Sequence, residues 1–392
     1  MMAPRPGAKG YELEDILRSY FSRSGYFAVR GVPYQLDGDE VTDIDIWLYE
    51  RPAAATRRRI IVDVKNRKSP KAAERIVWTK GLQAALGVEG AIVGTTDQRP
   101  GVRRLAKNLG ITLFDGDAIN RLAKATGVEP ASYLSSSEFD DLVKAIDITR
   151  RSTDWRRLYS SAKGALATGL GTYSTNTCLN IVGAMSEQVI LAQPNSSAAD
   201  VATRLTYMVS AFVCISLDFL MSEHLFRSPD DRREAVIRSI RFGQSDTNGT
   251  LPTIGAAIGL ARKYLENGSA AAKRIEYGFY KDADAIPAEI IAEYASRLSS
   301  GEELFLIGKE LQAASHQIYL PRFDDLSVGA KSFIGVALDF NGVSREKFAN
   351  AWSPARSRVA QMVDEQLSLL QEEAAARGKQ SPSTRGKGDL GQ

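Results

Sequence analysis

Residues 41–68 read VTDIDIWLYERPAAATRRRIIVDVKNRK, and the way these side chains alternate decides the fold. A β-strand turns successive side chains to opposite faces. In the first half, Asp43 and Asp45 therefore fall on one face, with Ile44, Ile46 and Leu48 on the other. In the second half, Asp63 and Lys65 share a face while Ile60, Val62 and Val64 point to a core. Strands with one apolar face and one face bearing acids and a lysine predict a site planted on a rigid sheet. An isolated Asp-x-Lys is weak evidence, since an exposed ion pair of that kind contributes only ~0–1 kcal/mol. Its weight comes from the order: an acid on one strand, then an acid and a lysine two residues apart on the next. Hard carboxylate oxygens of this sort suit Mg²⁺, which takes a few protein ligands and completes its shell with water or phosphate.

Upstream, Leu13, Ile16, Leu17, Tyr20 and Phe21 recur at helical spacing, and Gly25 ends that helix. Glu14 stands at the edge of this apolar stripe, leaning toward the same sheet face. Residues 26–34 read as a strand, and Asp37-Gly38 as the hairpin turn into a returning strand at 41–49. Downstream of the strand at 59–66, Ser69-Pro70 opens a helix to about residue 86. Residues 90–95 form a short, wholly apolar strand, 100–108 a helix and 111–114 a last strand. The order α-β-β-β-α-β-α-β defines an α/β unit over residues 10–126.

Residues 127–152, with Pro130 and a run of three serines, read as a linker. Helical periodicity then dominates, with helices expected at 155–170, 198–226, 230–241, 254–267, 287–298, 302–318 and 344–376, an all-α C-terminal domain over 153–376. The tail at 377–392 lacks apolar anchors and is expected to be disordered.

Charge is distributed unevenly. The chain of 392 residues carries a net +3, yet the window 51–80 alone carries +8, so the remainder sums to −5. Such a local excess is the electrostatic footprint of a polyanion site, or else a solvated basic face. Arg57, Arg58, Arg59, Arg67, Lys68 and Lys80 fall in this window. They are expected to contact the phosphates of a nucleic acid if that footprint is used, contacts that position a strand without reading its sequence.

The stretch Gly10-Tyr-Glu-Leu-Glu14 followed by Gly25-Tyr26, then Thr42-Asp-Ile-Asp-Ile46, then Ile61-Val-Asp-Val-Lys65 resembles the PD-(D/E)xK nuclease superfamily. Within it the look is nearest to Mrr-like enzymes and archaeal Holliday-junction resolvases. Residues 91–96, 100–106 and 109–113 are similar to that group's closing β-α-β. Two departures stand out: no proline precedes Asp45, and Asp63 replaces the commoner glutamate. The resemblance implies a restriction-endonuclease-like fold with a mixed central sheet and a catalytic set of Glu14, Asp45, Asp63 and Lys65. Mg²⁺, with Mn²⁺ as a permitted substitute, would be held by Asp45, Asp63, the Val64 carbonyl and Glu14. Asp43 is an alternate ligand or a neighbour, and Gln83 and Lys80 lie on the helix that follows the catalytic strand. The implied function is a metal-dependent DNA endonuclease in restriction, anti-phage defence or DNA repair. Its rivals are a catalytically inactive nucleic-acid-binding or assembly module, and a regulatory scaffold with a relic nuclease fold.

Composition excludes other chemistries. Two cysteines, Cys178 and Cys214, cannot build a disulfide scaffold or a Cys-rich zinc site. Two histidines, His224 and His316, exclude multi-His metal sites and read as structural. Trp155, Trp352 and the aromatic run 277–280 read as core rather than as base-stacking platforms. No Gly-rich loop ending in Lys-Ser/Thr is present, so no P-loop ATPase is expected. The apolar run 207–221 is broken by Ser210, Ser216 and Asp218 and reads as a buried helix. The first ten residues lack an apolar stretch, so a cytoplasmic setting is expected, with no membrane partner. A homo-oligomer or a partner protein held by the helical half stays open.

Overall fold

In the computed structural model, the strands form one sheet whose spatial order follows the chain, β1-β2-β3-β4-β5. The structure describes residues 8–65, 71–115, 117, 118, 121, 132–149, 154–193, 196–243, 250–298 and 302–351. Helix α1 (Ala8–Arg23) leads into β1 (Phe27–Leu36), β2 (Asp39–Ala53) and β3 (Thr56–Lys65), which pair antiparallel. After α2 (Ala72–Leu86), β4 (Gly90–Thr95) lies parallel to β3. Helix α3 (Pro100–Asn108) then returns the chain for β5 (Thr112–Phe114), parallel to β4. The expected α/β order and mixed sheet are therefore present. At the first hairpin Asp37 and Gly38 both take positive φ, 52° and 92°. That is what a tight turn matching the strand twist requires.

Both sheet faces are covered. Ile46, Leu48, Ile60, Val62 and Val64 pack against Leu13, Leu17 and Phe21 of α1. Val29, Trp47, Tyr49, Ile61 and Val93 belong to a second, larger core. The strict alternation expected along β2 fails at one place: Ile44 joins the larger core with Trp47, not the α1 side with Ile46 and Leu48. Val32, its partner on β1, does the same. Between the pairs Arg30–Ile46 and Val32–Ile44 lie Gly31 and Asp45, and Gly31 has φ 60°. A left-handed glycine flips the pleat there without a Cβ penalty.

The expected linker holds a helix, α4 (Ser136–Thr149). Ser135 Oγ accepts from the Glu138 amide at 3.2 Å, and Glu138 accepts from the Ser135 amide at 2.7 Å. The serine run is thus half of a reciprocal helix cap. The chain continues through α5 (Trp155–Thr168), α6 (Thr172–Leu191), α7 (Ser197–Ser222), α8 (Pro229–Phe242) and α9 (Thr250–Tyr264). It ends with α10 (Gly268–Asp284), α11 (Ala288–Leu298), α12 (Glu303–His316), α13 (Val328–Phe340) and α14 (Arg345–Ala351). Sequence periodicity does not anticipate α6, α10 or α13. The expected helix over 344–376 is described only to residue 351, and Trp352 and the tail at 377–392 lie outside the described residues.

Helix α7 is the one described helix long and apolar enough to cross a membrane, but 89% of its most apolar window is buried inside the protein. It is the central core helix. The larger core runs from the sheet into the helices without a break. Phe27 meets Phe212 edge-on at 6.1 Å, and Tyr49 meets Phe219 and Phe305 at 6.5 and 6.0 Å. Gln312 of α12 donates to the Ala28 carbonyl of β1 at 3.0 Å. The boundary near residue 126 therefore divides the sequence but not the packing.

Candidate active site

The β2–β3 ladder closes at Ile46–Val62, and the next residue on each strand is an aspartate, Asp45 and Asp63. Asp45 Oδ2 accepts from the Val64 backbone amide at 2.6 Å, so its side chain reaches across to β3. Asp63 is 8% exposed, and Arg75 of α2 donates its Nε to Asp63 Oδ2 at 2.8 Å. A terminal guanidinium nitrogen of Arg75 also meets the other Asp63 oxygen. From α1, Glu14 accepts from Arg30 Nε of β1 at 2.8 Å, and Arg30 also faces Asp15 at 3.6 Å.

These groups share one field. Burial raises the Glu14 carboxyl above its ordinary value; Asp45 pushes the same way while the Arg30 hydrogen bond opposes both. Burial lowers the Arg75 guanidinium, and the Asp45 charge resists that. On Arg30, burial disfavours the charge, but Glu14 and Asp15 outweigh it and the net shift is upward. Asp45 therefore shares a field with Glu14 on one side and with Arg75, the partner of Asp63, on the other. Lys65 ends β3 opposite Thr95. Its side chain, like Arg67 and Lys68, lies outside the described residues.

The expected phosphate-binding arginines fare differently. Arg57 is corrected: it is buried, and its guanidinium pairs with Asp218 of α7 at 2.6 Å and donates to the Ala54 carbonyl at 2.8 Å. Arg51 joins the same carboxylate at 3.7 Å. Arg59 is also engaged within the protein, donating to Glu89 at 2.7 Å and the Gly87 carbonyl at 2.6 Å, and lying 5.0 Å over the Phe219 ring. Arg58 pairs with Glu50 at 2.8 Å but keeps 47% of its side chain exposed, so it can still reach a phosphate. Lys80 donates to Gln83 on its own helix at 3.0 Å, so these two polar side chains engage each other. Asp43 interacts electrostatically with Lys163 of α5, which also feels the Arg30 charge. Much of the +8 window is thus consumed by the fold.

Sequence reasoning missed the two arginines that hold the acids. Arg30 is the one charge in the apolar strand FAVRGV, which signals an internal partner. Arg75 reads in the sequence only as one more surface charge. The helix that follows the Asp-x-Lys strand begins beside it, so its first turns are placed to touch Asp63.

Residues 7–123 match the family model described as a restriction endonuclease, Mrr_cat. The match spans α1 through β5, contains every residue of this site, and stops before the helices. Over these residues the N-terminal unit is similar to restriction endonucleases, in line with the PD-(D/E)xK resemblance of its strands. No curated protein and no solved structure gives a match.

In this N-terminal unit the donor set suits a hard divalent cation: it is all oxygen, half-buried, and electrostatically congested at Glu14 and Asp45. Among the described residues, no three acid, histidine or cysteine side chains close around a single point. Arg75 stands at Asp63 and Arg30 at Glu14, each supplying positive charge to a carboxylate.

Proposed function

We propose that the N-terminal unit hydrolyses DNA phosphodiester bonds with a divalent cation, Mg²⁺ or Mn²⁺, held by Asp45, Asp63, the Val64 carbonyl and Glu14. The observation that supports this most is the placement of Asp45 and Asp63 just beyond the last pair of the β2–β3 ladder, beside the Glu14 helix. When bound, such a cation supplies Lewis acidity toward the scissile phosphate and lowers the pKa of an attacking water.

The chain's own groups do the rest. Asp45 is oriented by the Val64 amide, and Asp63 by Arg75, whose guanidinium would give up part of that contact to a cation. Lys65 orients the water and stabilises charge growing on the phosphate oxygens. Arg75, close to both aspartates, is a second cation for that charge once a metal takes over Asp63. Arg58 contacts a flanking phosphate. By family resemblance the setting is restriction of foreign DNA, anti-phage defence or DNA repair, inside the cell.

One observation favours a second reading. A guanidinium already neutralises Asp63, as in a domain that keeps the fold for nucleic-acid binding and has lost the chemistry. Incubation with supercoiled, linear and branched DNA in Mg²⁺, Mn²⁺ or EDTA separates the two. Metal-dependent cleavage supports the nuclease. Salt-sensitive binding without cleavage in any metal supports the binder.

A further inference from the structure

Helices α9 and α10 pack on each other as a hairpin and touch the rest of the described protein mainly through α8. Their buried residues are few: Ala261 on α9, and Gly268, Ala272 and Ala283 on α10. At the base of the hairpin the Phe242 ring of α8 meets Phe279 and Tyr280 at 5.8 and 6.0 Å. We propose that this hairpin pairs with the same hairpin of a second copy of the chain, across a two-fold axis at Gly278.

The apolar surface is the first argument. On α9, Ala257, Leu260 and Tyr264 fall at i, i+3 and i+7, so they form one stripe, and all three are exposed. Leu260 is 60% exposed and Tyr264 69%. Leu265 at the tip and Tyr277 on α10 are exposed as well. The inner seam of the hairpin already packs helix on helix, so this stripe is a second apolar face left in water. Single exposed apolar residues are ordinary, whereas a cluster of them on one element marks an interaction site.

Charge identifies the partner. Over 250–284 the chain carries five basic residues against four acidic ones, a near-balance that is not the footprint of a surface for nucleic acid or anionic lipid. Along α10 the charges are self-complementary. Arg274, Gly278 and Asp282 follow at intervals of four and share one stripe. Arg274 and Asp282 are both exposed, and neither meets an opposite charge among the described residues. A Cβ at Gly278 would find nothing within 4 Å, so a second helix can approach its backbone closely. Laid antiparallel across Gly278, a second α10 sets its aspartate against Arg274 and its arginine against Asp282, each about 6 Å from the axis. A two-fold interface uses the same patch on both copies, and this patch matches itself.

The dimensions suffice. Helix α10 has 17 residues and is about 25 Å long. A face of that length and two helices wide, roughly 20 Å, approaches the roughly 800 Å² per partner of a stable interface once side-chain relief is counted. The pairing does not depend on the nuclease reading, and it gives each particle two copies of the Asp45–Asp63 site.

The test is sedimentation of the full chain from about 1 to 100 μM, in EDTA and without nucleic acid. A mass twice that of one chain is expected at the upper end, dissociating on dilution. Leu260→Glu, at an exposed position, should give a monomer with an unchanged circular dichroism spectrum. Arg274→Glu sets like charges together at both contacts and should weaken the dimer about tenfold, and Asp282→Arg should do the same. The two charge changes combined exchange the signs and should bring the dimer back to within about threefold of wild type. That recovery separates a two-fold contact from damage to the fold. A chain still monomeric at the highest concentration overturns the proposal, whether the hairpin is then found covered by residues 352–392 or by anionic vesicles. A dimer indifferent to all three single variants overturns it too, as does a double charge variant no tighter than its singles.

Discussion

Replacing Asp218 by alanine removes the carboxylate that Arg51 and Arg57 share. In the native protein the Asp218 side chain is 3% exposed, Arg57 3% and Arg51 1%, all at the joint between β2–β3 and α7. Tyr49 donates to Asp218 at 2.6 Å, and burial together with that charge keeps its phenol protonated far above its ordinary range. Arg57 also donates to backbone carbonyls, but these carry no countercharge. Removing one partner of a buried ion pair costs about 3–5 kcal/mol, because the surviving charge stays desolvated. The lost Tyr49 hydrogen bond falls within that figure, since both describe the same carboxylate. A loss of about 4 kcal/mol is a large fraction of the roughly 5–15 kcal/mol that stabilises an ordinary domain. Guanidinium unfolding followed by circular dichroism and by tryptophan fluorescence measures it. The two probes should coincide, because Trp47 on the sheet and Trp155 on α5 lie in one core. Exchanging the whole triad for apolar side chains, by Asp218→Leu, Arg51→Met and Arg57→Met together, should recover most of the loss. A cost below about 1 kcal/mol for Asp218→Ala, or probes that separate widely in the wild type, refutes the shared joint.

Three further outcomes follow from the site. Glu14 holds its proton to higher pH when folded than at its ordinary 4.5, so folding stability should fall as pH climbs from 4.5 through the raised value and level off above it. A difference in melting temperature between wild type and Glu14→Gln, followed across that window, should show this slope, and parallel curves contradict it. Arg75→Met leaves the 8%-exposed Asp63 without its cation, costing about 1–3 kcal/mol without metal. Millimolar Mn²⁺ should restore more stability to the variant than it adds to the wild type, and equal increments count against a cation site at Asp63. Arg58→Gln should reduce the log-log salt slope of DNA binding by about 0.9, one phosphate contact. Arg57→Gln should leave that slope alone and lower stability instead; the reverse pattern would mean that Arg57 leaves Asp218 to meet DNA.

The residues that were legible are those whose pattern is local. Alternation in 41–49 and 59–65, the Asp37-Gly38 turn and the apolar stripe of α1 each depend on neighbours in sequence. They placed Glu14, Asp45 and Asp63 on the correct elements. What stayed hidden depends on distant partners. The pleat flip at Asp45 is imposed by Gly31 on the adjacent strand, and the destination of Arg57 by Asp218, 161 residues away. Helix α6 was missed because its threonines, serines and asparagines are weak helix formers, while burial on several sides removes a clear stripe. Helix α4 carried a readable signal in Ser135 and Glu138, three residues apart, which the serine run obscured. The aromatic run 277–280 fails in the opposite sense: Tyr277 is 71% exposed on α10, where a core was expected. A charge window is likewise a poor guide to a binding face when half its arginines are needed to hold two layers together.

The most direct test of the nuclease assignment compares wild type, Asp63→Asn and Lys65→Ala on one supercoiled plasmid, with binding and cleavage measured side by side. Ile60, Val62 and Val64 hold the core side of β3, so both variants should fold. Wild type should cut in Mg²⁺ or Mn²⁺ and stop in EDTA. Lys65→Ala should lose about 10²–10³ in rate, the usual worth of one preorganised electrostatic group, while still binding DNA. Asp63→Asn should cut no faster than Lys65→Ala and bind metal-free DNA at least as well as wild type. Cleavage by Lys65→Ala at the wild-type rate, or cleavage indifferent to EDTA, contradicts the account.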